Sequence, residues 1–235
     1  MAGETIRSEA TCLAIRPWSR TSHVVFWLTP RGRLGTVVKG AVRPKSFFLG
    51  QYDLNYTCDI LYYARAHGDL HALRECAPVS RRDALRGDYR KLALAGHFRR
   101  LAADYAPAGP DAAAWHELLE KSLDALCGET CVPLVRRLLR YELDVLHLQG
   151  LSPEIEAEEE GLFHLRGERS IPVSPEVAAC LRDPLHAGEG EETPHNAARV
   201  LGAFYQFHLD AAIDARRTVL AMLAKGGCQK PFESV

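Results

Sequence analysis

The sequence lacks most of what an enzyme or a membrane protein has to show. It contains no GxSxG, Walker A or HExxH pattern, and no GxGxxG following a strand. The usual nucleophile elbow, phosphate cradle, zinc-protease pair and dinucleotide turn are therefore missing. Its seven cysteines are Cys12, Cys58, Cys76, Cys127, Cys131, Cys180 and Cys228, an odd number with no CxxC pair. That disfavours a disulfide-stapled secreted fold and leads us to expect free thiols in a reducing, cytoplasmic setting. Cys127-Gly-Glu-Thr-Cys131 has the wrong spacing for a usual zinc knuckle and lacks a second pair. The ten histidines are scattered, and each reads as a surface or core residue rather than a general base. No apolar run approaches the ~20 residues of a membrane span, and no leader pattern opens the chain. We find no internal repeat. The expectation is a binding protein without catalysis, metal, cofactor or membrane contact.

What is present is asymmetric. The formal net charge is only −1, yet residues 1–50 carry eight Lys and Arg against two acids, Glu4 and Glu9. The remaining chain carries 21 against 28. A basic front on an acidic remainder places any polyanion binding at the N-terminal end. Within that front, Gly35–Ser46 reads Gly-Thr-Val-Val-Lys-Gly-Ala-Val-Arg-Pro-Lys-Ser. A β-branched pair delivers a short loop holding Lys39, Arg43 and Lys45. Gly40 permits a sharp turn, and Pro44 biases Arg43 toward an extended conformation. Such a loop suits a phosphate backbone, although short cationic runs also occur on surfaces that merely keep a domain soluble.

Residues 10–80 read as β structure. Strand-length apolar runs are Thr11–Ile15, His23–Leu28, Leu34–Val38, Leu54–Tyr63 and Leu70–Leu73, separated by turn signals. Gly32-Arg-Leu-Gly35 reads as a turn. Five short strands suit a small barrel, because closure removes exposed sheet edges. The expected fold class is α+β, an N-terminal OB-type antiparallel barrel over 1–80 followed by a helical domain over 81–235. Trp18, Phe26, Trp27, Phe47, Phe48, Tyr52, Tyr56, Tyr62 and Tyr63 gather most of the aromatics in the barrel. Some must fill it, and others are free to stack on bases.

After Ser80 the period lengthens to about 3.6. Leu85, Tyr89, Leu92 and Ala95 mark one helix over Asp83–Tyr105. Trp115, Leu118, Leu119, Leu123 and Leu126 mark a second, stopped by Gly128. A third has Pro133 in its first turn, runs through Leu134, Leu138, Leu139, Val145 and Leu146, and ends at Gly150. Residues 151–173 hold five glutamates between Glu154 and Glu160 and read as an exposed insert with a small hairpin. Ser174-Pro175-Glu176 opens a short helix. A last helix starts at Thr193-Pro194, carries Val200, Leu201, Phe204, Phe207, Leu220 and Leu223 inward, and ends near Gly226-Gly227.

With these residues in view, the sequence resembles the bacterial RecO family of recombination mediators. The likeness runs through Arg16-Pro17-Trp18-Ser19, Thr21-Ser22, Phe26-x-Leu28-Thr29 and Gly32-Arg33-Leu34-Gly35. Its most specific part is Val38-Lys39-Gly40-Ala41-x-Arg43-Pro44-Lys45-Ser46. It resumes at Leu139-Arg140-Tyr141-Glu142-Leu143 and Gly150. The resemblance implies binding of single- and double-stranded DNA, annealing of complementary strands and loading of RecA with RecR. It also implies docking on single-strand-binding protein and a cytoplasmic, nucleoid-associated location. By it, Lys39, Arg43 and Lys45 are the expected DNA contacts, with Arg33 a further candidate; the positive charge gathered on the barrel adds Arg16 and Arg20 in reserve. Arg140 is the candidate for binding the partner's acidic tail. Three departures stand out. Arg20 occupies a place where a glutamate is common. Residues 151–173 lack the two CxxC pairs that hold zinc in many members, so no zinc is expected. Ile213-Asp214-Ala215-Arg216 replaces an expected Leu-Lys-Ser-Arg. The alternatives kept open are an OB-fold RNA- or oligosaccharide-binding protein, and a protein-interaction adaptor.

Overall fold

Strand β1 (Thr5–Ser19) is long enough to serve two neighbours. Its first half pairs antiparallel with β4 (Thr57–Tyr63), and its second half pairs with β2 (Ser22–Thr29). Strand β3 (Gly32–Val38) continues antiparallel to β2 and then runs parallel to β5 (Leu70–Ser80), which closes on β4. The order β1-β2-β3-β5-β4 is a closed five-stranded barrel of OB type. This is a computed structural model, and it describes residues 4–65, 70–128, 132–155, 161–166, 169–188, 190, 192–209 and 213–224.

The barrel is filled by alternate residues of each strand, as a pleated sheet demands. Ala10, Cys12, Val25, Trp27, Val38, Cys58, Ile60, Tyr62 and Leu73 form one cluster with Ala41, Tyr52 and Tyr56. Trp27 is fully enclosed, and its indole N–H donates to Thr36 Oγ1 at 2.8 Å. Tyr52 hydroxyl and His23 Nδ1 share a hydrogen bond of 2.8 Å. Cys12, Cys58 and Cys76 are free thiols of the barrel. Burial raises the Cys12 thiol's pKa, while the hydrogen bond with Cys58 and then burial raise that of Cys76. Because the thiolate is the reactive form, brief iodoacetamide treatment of the native protein at pH 8 is expected to leave Cys12 and Cys76 unmodified. Mass mapping should find both alkylated after denaturation. Stoichiometric labelling of native Cys12 would contradict this placement.

Two compact units are present. One gathers Met1–Asp88 and Phe98–Glu129, and the other gathers Tyr89–His97 and Thr130–Val235. Helix α1 (Tyr89–Tyr105) contributes to both, and α2 (Ala112–Cys127) belongs with the barrel. A buried polar cluster fixes α2 there. Arg82 Nη2 donates to Glu120 Oε2 at 2.9 Å, and its Nε donates to Asp124 Oδ1 at 2.7 Å. Its Nη1 reaches the Asn55 carbonyl at 2.8 Å and Thr57 Oγ1 at 2.7 Å. Burial alone would raise the Glu120 carboxyl. Hydrogen bonds from Thr11 and Thr57, with the Arg82 guanidinium, outweigh it and hold the carboxyl below its ordinary range.

The second unit contains α3 (Leu134–Leu148), the hairpin β6 (Gly161–Arg166) and β7 (Arg169–Val173), α4 (Pro175–Arg182), α5 (Glu192–His208) and α6 (Ile213–Ala224). The side chain of Ser174 accepts from the Val177 N–H and caps α4, with Pro175 at its first position. At the centre of this unit Glu142 is completely buried. Arg216 grips it in a two-pronged pair, Nε to Oε1 at 2.8 Å and Nη2 to Oε2 at 2.9 Å. His97 Nε2 lies 3.0 Å from Glu142 Oε1. Arg216 Nη2 also donates to the Ala198 carbonyl at 2.7 Å, so the pair ties α3, α5 and α6 together.

Several boundaries differ from the sequence reading. The β1 strand extends to both sides of Thr11–Ile15, because it spans two partners. Likewise β5 runs on to Ser80, since its far half pairs with β4. Gly32–Gly35 opens β3 instead of forming a turn: Gly32 pairs with Thr29 and bridges to Ala108. The helix expected from Asp83 begins at Tyr89, after a 3-10 turn over Asp83–Gly87. Its buried stripe is Leu94, Ala95, Phe98, Leu101 and Ala102, whereas Tyr89 and Leu92 are exposed. Pro133 is the cap residue of α3 and not its first helical residue. The expected last helix is two, α5 and α6. Cys131, the glutamates at 156, 158, 159 and 160, and the tail from 225 lie outside the described residues.

Candidate nucleic-acid interface

The barrel's connections set the site. The β1–β2 hairpin turns at Arg20-Thr21, beside the end of β3, since His23 opposes Val38. From there the chain enters a series of tight turns, with Arg43 N–H donating to Gly40 O at 3.1 Å and Ser46 N–H to Arg43 O at 2.9 Å. Arg43 is thus part of a turn, not of an extended segment. The loop is fastened to the hairpin by Val42 N–H to Thr21 O at 3.3 Å and Gly40 N–H to Ser22 Oγ at 3.1 Å. Gly40 has φ +68°, and a Cβ there would stand 3.2 Å from Arg43 Cδ. The absence of a side chain at Gly40 therefore lets the arginine stem lie across the turn.

Arg16, Arg20, Lys39, Arg43 and Lys45 are all exposed. Among the described residues, the side chains of Arg20, Lys39, Arg43 and Lys45 have no ion-pair or hydrogen-bond partner. Arg16 lies over the Phe26 ring, 5.5 Å from its centroid. Three other arginines of this unit are neutralised: Arg7 by Asp59 at 3.0 Å, Arg86 by Asp53 at 2.7 Å, and Arg82 by Glu120 and Asp124. The hairpin and loop enclose an open recess of about 450 Å³ lined by Trp18, Ser19, Thr21, Ser22, Lys39 and Arg43, among others. Hydroxyls, backbone and two unneutralised cations around a shallow open hollow can hold phosphate oxygens.

Arg33 does not join this group. It lies near the opposite end of β3, about 20 Å from Lys39 at ~3.3 Å per strand residue. Its Nη1 donates to the Ala103 carbonyl in the last turn of α1, where helix carbonyls lack intrahelical partners. Arg140 is half-exposed and held by Asp144, one turn along α3, with Nε–Oδ2 at 2.9 Å and Nη2–Oδ1 at 2.8 Å. Its neighbours Arg136 and Glu142 serve the interior, Arg136 by donating to the Pro184 and Gly188 carbonyls. Among the described residues no group of His, Cys, Asp or Glu could hold a metal ion, and no helix is long and apolar enough to cross a membrane.

Sequence reasoning named Trp18 only among the barrel aromatics that fill the core or stack on bases and did not single it out for the site, although its place between Arg16 and Arg20 was a signal. It also missed Ser19, Thr21 and Ser22 as lining residues, since only the fold brings the hairpin against the loop.

Comparison with known proteins points to one family. The family described as recombination protein O, C-terminal, matches residues 86–217. The chain is 27% identical over 187 residues to a DNA repair protein RecO from Moorella thermoacetica, a match spanning 79% of this chain and 68% of that one.

Proposed function

Because the chain belongs to the RecO family of DNA-repair and recombination proteins, we propose that it binds DNA through the hairpin and Lys39–Lys45 loop of its barrel. It holds single and double strands by their phosphates, brings complementary strands together and helps load RecA with RecR in the cytoplasm. It acts by binding, without catalysis. The observation that carries this reading is the gathering of Arg20, Lys39, Arg43 and Lys45, exposed and without acidic partners, at one end of an OB-type barrel. Phosphate contact supplies most of such affinity and carries little sequence preference. Docking on the acidic tail of single-strand-binding protein is assigned to Arg140, where the peptide carboxylate would exchange with Asp144.

The experiment is strand annealing. Two complementary oligonucleotides, one fluorescent and one quenching, are mixed with and without single-strand-binding protein. Annealing well above the spontaneous rate in both cases is expected. A protein that binds neither strand, or binds RNA or an oligosaccharide with strong preference, would overturn the proposal.

A further inference from the structure

Resting on the DNA-binding reading above, we propose that Trp18 is a base-stacking residue, so that the recess distinguishes unpaired from paired nucleotides. The backbone puts it there. Pro17 opposes His23 and Ser19 opposes Ser22, which leaves Trp18 as the extra residue of a β-bulge. Bulges bend a strand and re-aim a side chain. This one turns the indole out of the barrel: Trp18 is 61% exposed, while Trp27 and Trp115 are 0% and 2% exposed. Trp18 lines the same recess as Lys39 and Arg43. A large aromatic face beside two unneutralised cations matches one nucleotide unit, its phosphate on the cations and its base on the ring. A paired base in a duplex is already stacked on both faces and has none to offer. Phe47, 94% exposed on the loop itself, presents a second ring. An apolar membrane contact would not require the hydroxyls and cations around the indole, and an acidic peptide would have no use for its flat face.

Because the other two tryptophans are buried, changes in accessible tryptophan emission report on Trp18. Binding is measured by anisotropy to labelled oligothymidylate, to an abasic oligonucleotide of the same length and to a duplex. Oligothymidylate is expected to quench the wild-type emission, and the abasic strand and polyglutamate are not. Trp18→Ala should weaken oligothymidylate binding about tenfold or more and leave abasic and duplex binding unchanged. Trp18→Phe should recover most of the loss. Circular dichroism should show both variants folded, since the side chain is mostly outside the core. Equal losses on all three nucleic acids, or unaltered oligothymidylate binding, would overturn the stacking role while leaving the phosphate-binding loop standing. Failure of the wild-type protein to bind any of them would overturn both.

Discussion

Replacing Lys39, Arg43 and Lys45 together by alanine is expected to flatten the salt dependence of single-strand binding by ~2 units of slope. If ~4–6 phosphates are neutralised in the wild-type complex, log affinity should fall against log salt with a slope of roughly −3 to −4. Each lost cation leaves one phosphate's counterions in place, worth ~0.7 of a unit on a single strand. Near 0.1 M salt the triple variant should bind about 100-fold more weakly, and the gap should close toward 1 M. All three side chains are exposed and lack partners among the described residues. Their removal therefore breaks no ion pair, and circular dichroism should be unchanged. Fluorescence anisotropy across a salt series measures both quantities. A folded triple variant with the wild-type slope would remove this loop from DNA binding. Arg33→Ala is the informative contrast: its side chain is engaged at the α1 terminus, so its effect on the slope should be small.

The second large effect is on stability. Arg216→Met leaves the Glu142 carboxylate buried without its main partner, and loss of one member of such a pair destabilises by ~3–5 kcal/mol. The pH dependence identifies the cause. In the native protein burial pushes the Glu142 carboxyl up, but Arg216 and His97 together outweigh it, and the group sits below its ordinary range. A depressed carboxylate stabilises the fold above its unfolded pKa, and that contribution is lost as pH falls through the lower folded value. Without Arg216 the burial effect dominates and the carboxyl rises. Its penalty then grows as pH increases through the ordinary carboxylate range. The difference between the two proteins should thus be greatest at neutral pH and shrink toward pH 4. Adding Glu142→Gln to Arg216→Met should restore part of the loss. Gly202→Ala offers an independent route, because a Cβ there would lie 2.5 Å from Arg216 Nη1. Urea unfolding followed by circular dichroism at several pH values tests this. A uniform loss at every pH would show that packing, not charge, is responsible.

Both predictions depend on residues whose roles differ in how visible they are in the sequence. Lys39, Arg43 and Lys45 lie within one loop, so their proximity in the chain is also proximity in space. Arg33 lies equally close in sequence, yet a strand separates it from them by its own length, and the α1 terminus engages it. Glu142 did leave a trace. It falls at helical spacing from Leu138 and Val145 on the buried face of α3, where an ionised side chain requires a partner. Nothing local names Arg216 as that partner, because the two residues are 74 positions apart.

The sequence by itself determined the barrel and its strand count, through two-residue alternation and turn signals between the runs. It also determined the helical period after Ser80, the caps at Ser174 and Gly128, and the basic front of the chain. These are local properties, set by backbone preference and by which face of a segment is apolar. Only the tertiary structure decided that α2 packs on the barrel, since the Arg82–Glu120–Thr57 cluster forms only once distant segments are together. Only it placed the β1–β2 hairpin against the cationic loop and turned Trp18 outward at a bulge. Such arrangements depend on register and on long-range pairing, where one residue's shift changes the face a side chain takes.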